Sequence, residues 1–335
     1  MIEHLAIVGA TGAVGREFCS LIEERNLKPR RISLFASTGS IGTSVAVGTE
    51  KISVEKLTPY ALDGVDYAVF SAGADRSREF TPIAVQAGAV VIDNSSAWRM
   101  DDSVPLVIPE INPNDLADHA GIIANPNCST ILLGLVLWPL HQVNPIRRMV
   151  VSTYQAVSGA GTEAVAELRT QTAGLLAGNP IAPRVFPHPI AFNLFSHDSP
   201  VGSDGLNAEE TKMIAETRKI FHEPGLAITA TCVRVPVVRA HSESVNLTFH
   251  QPITPQEVRD LLSSAPGVKI VDDVDRGRFP MPAEAAGCND VLVGRIRQDT
   301  SQPDGCGIDL FICGDQLRKG ASLNAIQILE LLANA

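Results

Sequence analysis

Over roughly the first 120 positions, short apolar runs alternate with stretches of helical spacing. Residues 4–8 (HLAIV) have strand length, and 14–25 carry apolar side chains at helical intervals. Strand-like runs recur at 31–36, 67–71 and 90–93, with a helical stretch at 81–87. Strands alternating with helices predict a parallel, doubly wound sheet. From about residue 129 the texture changes. An apolar helix is predicted at 130–141, a strand at 149–155 and a long helix at 162–177. A loop rich in proline and histidine fills 179–200, followed by a helix at 208–221. Strands are predicted near 227–235, 242–250, 290–297 and 307–313, and a last helix at 323–332. Val245, Leu247 and Phe249 alternate with polar residues, the pattern of a sheet with one face solvated or at an interface. There is no internal repeat and no low-complexity linker. The expectation is an α/β chain of two closely joined domains, in keeping with 335 residues at about 150 per domain.

Charge narrows the function. Lys and Arg number 27 against 37 Asp and Glu, a net charge of −10. A nucleic-acid binder needs basic charge to neutralise phosphates, so that class is set aside. A small anionic substrate is not, because a few arginines can serve one site. The longest apolar run, 131–140, covers about half of a membrane span. The opening MIEHLAIVGA lacks a basic, then apolar, export signal, so a cytoplasmic protein is expected. The six cysteines, at 19, 128, 232, 288, 306 and 313, form no CxxC pair. That spacing predicts neither a disulfide framework nor a metal site, but reduced thiols that are mostly buried.

Two segments carry chemistry. The first strand runs into Gly9-Ala10-Thr11-Gly12-Ala13-Val14-Gly15, which opens the first helix. Small residues there let the backbone approach a pyrophosphate, and the helix N-terminus offers N–H groups to its charge. The acidic residue expected about 20 positions on, which would bind a ribose 2′-hydroxyl, is missing. Strand two ends instead in Ala36-Ser37-Thr38-Gly39-Ser40, whose hydroxyls can donate to a 2′-phosphate. NADP is favoured, with NAD a second candidate. In the second segment, Asn125-Pro126-Asn127-Cys128-Ser129-Thr130 places Cys128 at the head of the apolar helix. A helix N-terminus favours thiolate over thiol and can hold an oxyanion. A buried core cysteine is the alternative, against which the polar flanks weigh. A thiolate beside a nicotinamide points to aldehyde oxidation or its reverse through a thioester.

These motifs, with Asn94-Ser95-Ser96-Ala97-Trp98-Arg99, the segment 153–161 (TYQAVSGAG), Arg234, His241 and the segment 314–324 (GDQLRKGASLN), closely resemble the aspartate-β-semialdehyde dehydrogenase family. The resemblance covers nearly the whole chain. It implies NADPH-dependent reductive dephosphorylation of L-aspartyl-4-phosphate to L-aspartate-4-semialdehyde and phosphate, in lysine, methionine, threonine and diaminopimelate synthesis. It implies a Rossmann-type domain of residues 1–127 and 315–335, and an α+β catalytic and dimerisation domain of 128–314. The C-terminal helix would then return to the first domain. Residue by residue, Cys128 matches the nucleophile, Gln155 the group that orients the acyl centre and His241 the general acid/base. Arg234 matches the clamp for the substrate α-carboxylate and Glu209 the contact to its amine. Lys212 and Arg99 match phosphate anchors, and Asn127, beside the nucleophile, is assigned to substrate binding. The resemblance assigns cofactor contacts to Gly9, Thr11, Gly12, Ala13, Val14, Gly15, Ser37, Thr38, Ser40, Ser71, Ala72, Gly73, Ser158, Gly159 and Asn324. A homodimer, or a tetramer, is expected, with small-molecule substrate and phosphate as partners. One departure stands out: Gly39 occupies the place where family members commonly carry an arginine for the 2′-phosphate.

Two other readings compete with this one. N-acetyl-γ-glutamyl-phosphate reductase performs the same chemistry, but its cysteine usually follows Asn-Pro-Gly. A non-catalytic paralogue would be expected to lose the nucleophile, whereas Cys128, Gln155 and His241 are all present.

Overall fold

The run His4–Val8 forms β1 and is buried at every position, as a strand covered on both faces must be. The computed structural model describes residues 2–334. The chain divides into two units: one runs up to Asn127 and resumes at Gly320, and the other is Cys128–Lys319.

In the first unit, β1 leads through the glycine turn into α1 (Ala13–Glu24), then β2 (Arg31–Ala36), β3 (Ser44–Val47) and β4 (Glu50–Lys56). β5 (Tyr67–Phe70), α2 (Ala74–Gln86), β6 (Val90–Asp93) and β7 (Ile122–Ala124) follow. They build a seven-stranded sheet in the order β3-β4-β2-β1-β5-β6-β7. Every pair is parallel except β3–β4. Strand order reverses at β1, and the carboxyl end of such a switch point is where open α/β sheets bind ligands. The glycine turn lies there. The C-terminal helix Leu323–Asn334 belongs to this unit, where Leu323, Ile326 and Leu329 share a core with Phe18 and Leu21 of α1. The helix predicted from 81 begins at Ala74, and the sequence pattern gives no sign of the edge strands β3 and β7 or of β4 beside β3.

The second unit opens with α3 (Cys128–Val143), β8 (Ile146–Gln155) and α4 (Thr162–Leu176). Next come β9 (Phe195–Ser196), α5 (Ala208–Ile220), β10 (Ala227–Arg234) and β11 (His241–Phe249). α6 (Pro255–Ser263), β12 (Val268–Ile270), α7 (Pro282–Ala285), β13 (Val291–Gln298) and β14 (Gly307–Gly314) complete it. Its mixed sheet has the order β12-β13-β14-β11-β8-β10-β9. Every residue of α3 from Ser129 to Leu137 is buried, which explains why the helix is apolar all round. A Cβ added to Gly314 would stand 2.5 Å from Leu132, so β14 ends in glycine where α3 approaches. The opposite face is partly open: Tyr154 and Ser244 are exposed, and the Tyr154 and Phe311 rings lie 6.3 Å apart. That is the one-sided sheet the alternation predicted. Among the described residues, no helix is long and apolar enough to cross a membrane.

Candidate active site

Cys128 is the first residue of α3 and is half-buried, whereas Cys19, Cys232 and Cys313 are fully enclosed. Burial pushes those three thiols up to about 12, so they are inert. Gln155 ends β8 and is buried. Its amide donates to Ser129 Oγ, in the residue after Cys128, at 3.0 Å and to Glu209 Oε1 at 3.1 Å. Its Oε1 is buried without a partner, an acceptor left for something else.

Glu209 lies in the first turn of α5, which Asn207 and Glu210 close with a reciprocal capping box. The cap fixes the helix start and therefore the Glu209 side chain, which also takes Lys212 Nζ at 3.1 Å. By their i, i+3 spacing alone, Glu209 and Lys212 would form an ordinary surface ion pair. The structure buries Glu209 to 6% exposure and turns it toward Gln155.

His241 opens β11. The Ala156 backbone N–H donates to its Nδ1 at 2.9 Å, so in a neutral ring the proton resides on Nε2. Nε2 is buried without a partner. Burial, then the nearby Arg234 guanidinium, push the His241 pKa down to about 3. The ring is neutral at physiological pH and presents an Nε2–H donor. Ala240 before it holds φ at +75°, kept there by its N–H donating to Gln316 Oε1 at 2.9 Å. The same Gln316 donates to Ser158 Oγ.

Arg234 ends β10, is 4% exposed and donates to Ala156 O at 3.1 Å. A Cβ on Gly159 would meet His241 Nε2 at 3.2 Å and Arg234 Nη1 at 3.5 Å. Gly159 therefore leaves open the small space onto which the imidazole donor and the guanidinium both face. Sequence reasoning missed the groups around Arg234: Phe186, whose ring centroid lies 5.5 Å from the guanidinium, and His197 and Asp198, which accept from it. All three fall in the segment read only as a loop, where the concentration of histidines was the available signal.

The first unit assembles a second set of groups. A Cβ on Gly9 would lie 2.2 Å from Ser71 O, and one on Gly15 would lie 2.2 Å from Gly9 O. With Gly9 at φ +94°, these two glycines allow the turn to close. Gly12 caps α1 with no side-chain hydrogen bond, and the first turn, beginning Ala13-Val14, carries no acidic residue. The helix N-terminus thus faces outward with donors and no competing anion, which fits a pyrophosphate. Gly73 at φ +89°, following Ser71-Ala72, likewise caps α2 with no side-chain hydrogen bond, but the first turn there carries Asp75. Thr11 Oγ1 donates to Ser40 Oγ at 3.3 Å, bringing the glycine turn to the hydroxyls Ser37, Thr38 and Ser40. Arg99 is buried, its Nε on Asn125 O at 2.9 Å and its Nη2 on Asn94 O at 2.8 Å. Asn127 is buried at the end of this unit. Asn324, the second residue of the C-terminal helix, donates to Val107 O and Asn125 Oδ1.

Comparison with known proteins adds to this geometry. Residues 4–119 match the family described as semialdehyde dehydrogenase, NAD binding domain, and residues 137–319 the one described as semialdehyde dehydrogenase, dimerisation domain. The chain is 50% identical over 329 residues to the aspartate-semialdehyde dehydrogenase of Synechocystis sp., covering 98% of this chain and 97% of that one. The chain belongs to the aspartate-semialdehyde dehydrogenase family. Aspartate semialdehyde dehydrogenase II from Vibrio cholerae superposes with a TM-score of 0.96 at 41% identity, over 100% of this chain and 99% of that one. A crystal structure of that dehydrogenase complexed with ASA gives the same TM-score at 40% identity and the same coverage. Membership in the semialdehyde dehydrogenase family gives the surroundings of Cys128 a reaction to perform, and the dimerisation-domain match covers most of the second unit.

Proposed function

We propose that the chain is an NADP-dependent aspartate-semialdehyde dehydrogenase that converts L-aspartyl-4-phosphate to L-aspartate-4-semialdehyde and phosphate. The observation that carries this reading is the grouping, within one unit, of a cysteine at a helix head, a glutamine tied to the next residue, a neutral imidazole with a free Nε2–H and a buried guanidinium.

Cys128 sulfur attacks the acyl carbon. The carbon–oxygen bond to phosphate breaks, phosphate leaves with the electron pair, and a thioester remains. Reduced nicotinamide, when bound, supplies the hydride that brings the acyl carbon to the aldehyde level. Breaking the carbon–sulfur bond then returns the electron pair to Cys128. Negative charge develops on the acyl oxygen in each step. The His241 Nε2–H is a preorganised donor for it, held in that tautomer by the Ala156 N–H. Arg234 clamps the α-carboxylate and Glu209 takes the α-ammonium. Gln155 ties Glu209 to the first turn of the nucleophile's helix, so substrate anchor and attacking sulfur move as one body. Arg99 and Lys212 anchor phosphate. We place the enzyme in the cytoplasm as a homodimer built through its second unit.

The cofactor assignment rests on the end of β2, where hydroxyls stand and no carboxylate does. Gly39 is not among the positive-φ glycines, and nothing lies within 4 Å of where its Cβ would be. An arginine there has room and no backbone strain. Gly39→Arg is expected to raise kcat/KM for NADP by about one to two decades through charge-assisted bonds to the 2′-phosphate, with little change for NAD. Steady-state kinetics with both cofactors checks this; a parallel rise for NAD would sink it.

The function itself is tested by reduction of NADP with aspartate semialdehyde at alkaline pH. Turnover is expected only when phosphate is present. Turnover without phosphate, or none with either NADP or NAD, would overturn the reading.

A further inference from the structure

Both terminal nitrogens of the Arg234 guanidinium are already engaged. Nη1 donates to Ala156 O at 3.1 Å. Nη2 donates to His197 Nε2 at 2.8 Å and to Asp198 Oδ1 at 3.1 Å. A guanidinium has no acceptor, so His197 must accept at Nε2. His197 Nδ1 lies against Ser199, 3.1 Å from its Oγ and 3.2 Å from its backbone N. Burial lowers the His197 pKa, with the Arg234 guanidinium and against the pull of Glu209. Ser199 Oγ in turn accepts the Glu209 backbone N–H at 3.1 Å, which ties His197 to the start of α5. His197 is thus a fixed part of the wall, its side chain 11% exposed. Asp198 is different: its side chain is 25% exposed and makes a single hydrogen bond to the guanidinium.

A carboxylate grips a guanidinium in two parallel bonds along either the Nε/Nη2 edge or the Nη1/Nη2 edge. Both edges require a hydrogen on Nη2, and its two are given to His197 and Asp198. Arg234 Nε is buried without a partner, half of an edge still waiting. We propose that Asp198 is an internal stand-in for the substrate carboxylate, holding Nη2 until a ligand that can also engage a second donor displaces it. Asp198 is then a specificity-determining residue. A two-point carboxylate gains a bond that Asp198 lacks, whereas a weak one-point anion gains nothing by the exchange. The inference rests on Arg234 being the carboxylate clamp.

The test is steady-state kinetics on Asp198→Ala and Asp198→Asn, with acetate and succinate as competing carboxylates. Removing a partly exposed internal competitor is expected to lower KM for aspartate semialdehyde by about three- to tenfold, the change appearing in KM rather than kcat. Inhibition by acetate should strengthen at least as much. The asparagine variant, closest in shape, should fall between wild type and alanine. A KM that rises or stays within error in the folded alanine variant would overturn the inference. Arg234→Leu separates the two claims. If it raises KM while Asp198→Ala fails to lower it, only the stand-in role is lost. If Arg234→Leu leaves KM unchanged, the clamp assignment falls and the inference with it.

Discussion

Cys128→Ala should lower kcat by more than about a thousandfold while the protein still folds and binds cofactor. The sulfur forms the only covalent bond to substrate in the proposed cycle, and removing a nucleophile typically costs far more than a factor of about 10³. Little structure depends on the thiol. Cys128 is half-buried at the first position of α3, and the helix is held by the wholly buried residues that follow it. Alanine is a good helix former and leaves only a small void there. Single-turnover and steady-state assays, with thermal melting and a cofactor fluorescence titration on the same sample, provide the check. Activity above about a thousandth of wild type would refute the covalent route.

His241→Asn is expected to reduce kcat by about 10²–10⁴, the range for losing a positioned proton donor. It should also change how stability responds to acid. The folded-state pKa of His241 is pushed down to about 3 by burial and by Arg234, from an ordinary value of 6.5. Between those values the unfolded chain takes up a proton that the folded chain refuses. The stabilising contribution is therefore complete above about pH 6.5 and is lost as pH falls toward 3, at about 1.4 kcal/mol per pH unit. From pH 7 to pH 5 the wild type should lose about 2 kcal/mol through this group, a loss the asparagine variant escapes. His4, His141 and His197, also lowered chiefly by burial, contribute alike to both proteins. Urea unfolding at the two pH values measures the difference. Equal losses in both proteins would mean that the ring protonates within the fold.

Much of this architecture could be read from residue order because its signals are local. The run 4–8, the glycine turn and the helical spacing after it lie within about twenty residues and need no partner to be recognised. α2 was placed late because its first turns, Ala-Asp-Arg-Ser-Arg-Glu, are polar, and Pro82 inside the helix imitates a first-turn proline. β3 and β4 escape because a strand near the sheet margin such as Glu50–Lys56 buries only Val54, which leaves little alternation to see. α6 was legible and overlooked: Thr254-Pro255-Gln256-Glu257 spells the capping box that the structure forms. At the site, Cys128 is marked by its place at a helix head, whereas Gln155 and His241 are marked only by the family resemblance. Their chemistry is not marked, since the tautomer of His241 depends on the Ala156 N–H, 85 positions away along the chain. The engagement of Arg234 by His197 and Asp198 has no sequence signature beyond the histidines of that loop. It exists because β9 pairs antiparallel with β10, setting Phe195 against Arg234 and carrying the next residues across the guanidinium.

The helix behind the nucleophile has no solvent face from Ser129 to Leu137. Its amide hydrogens have no small local opening through which to reach water, so they exchange for deuterium only when the second unit opens as a whole. Isotope uptake along this helix therefore works as a gauge of global stability that sits directly behind the chemistry. A ligand that seats against Cys128 and tightens the entire unit will slow that uptake. One that merely fills the space beside it will leave the rate where it was.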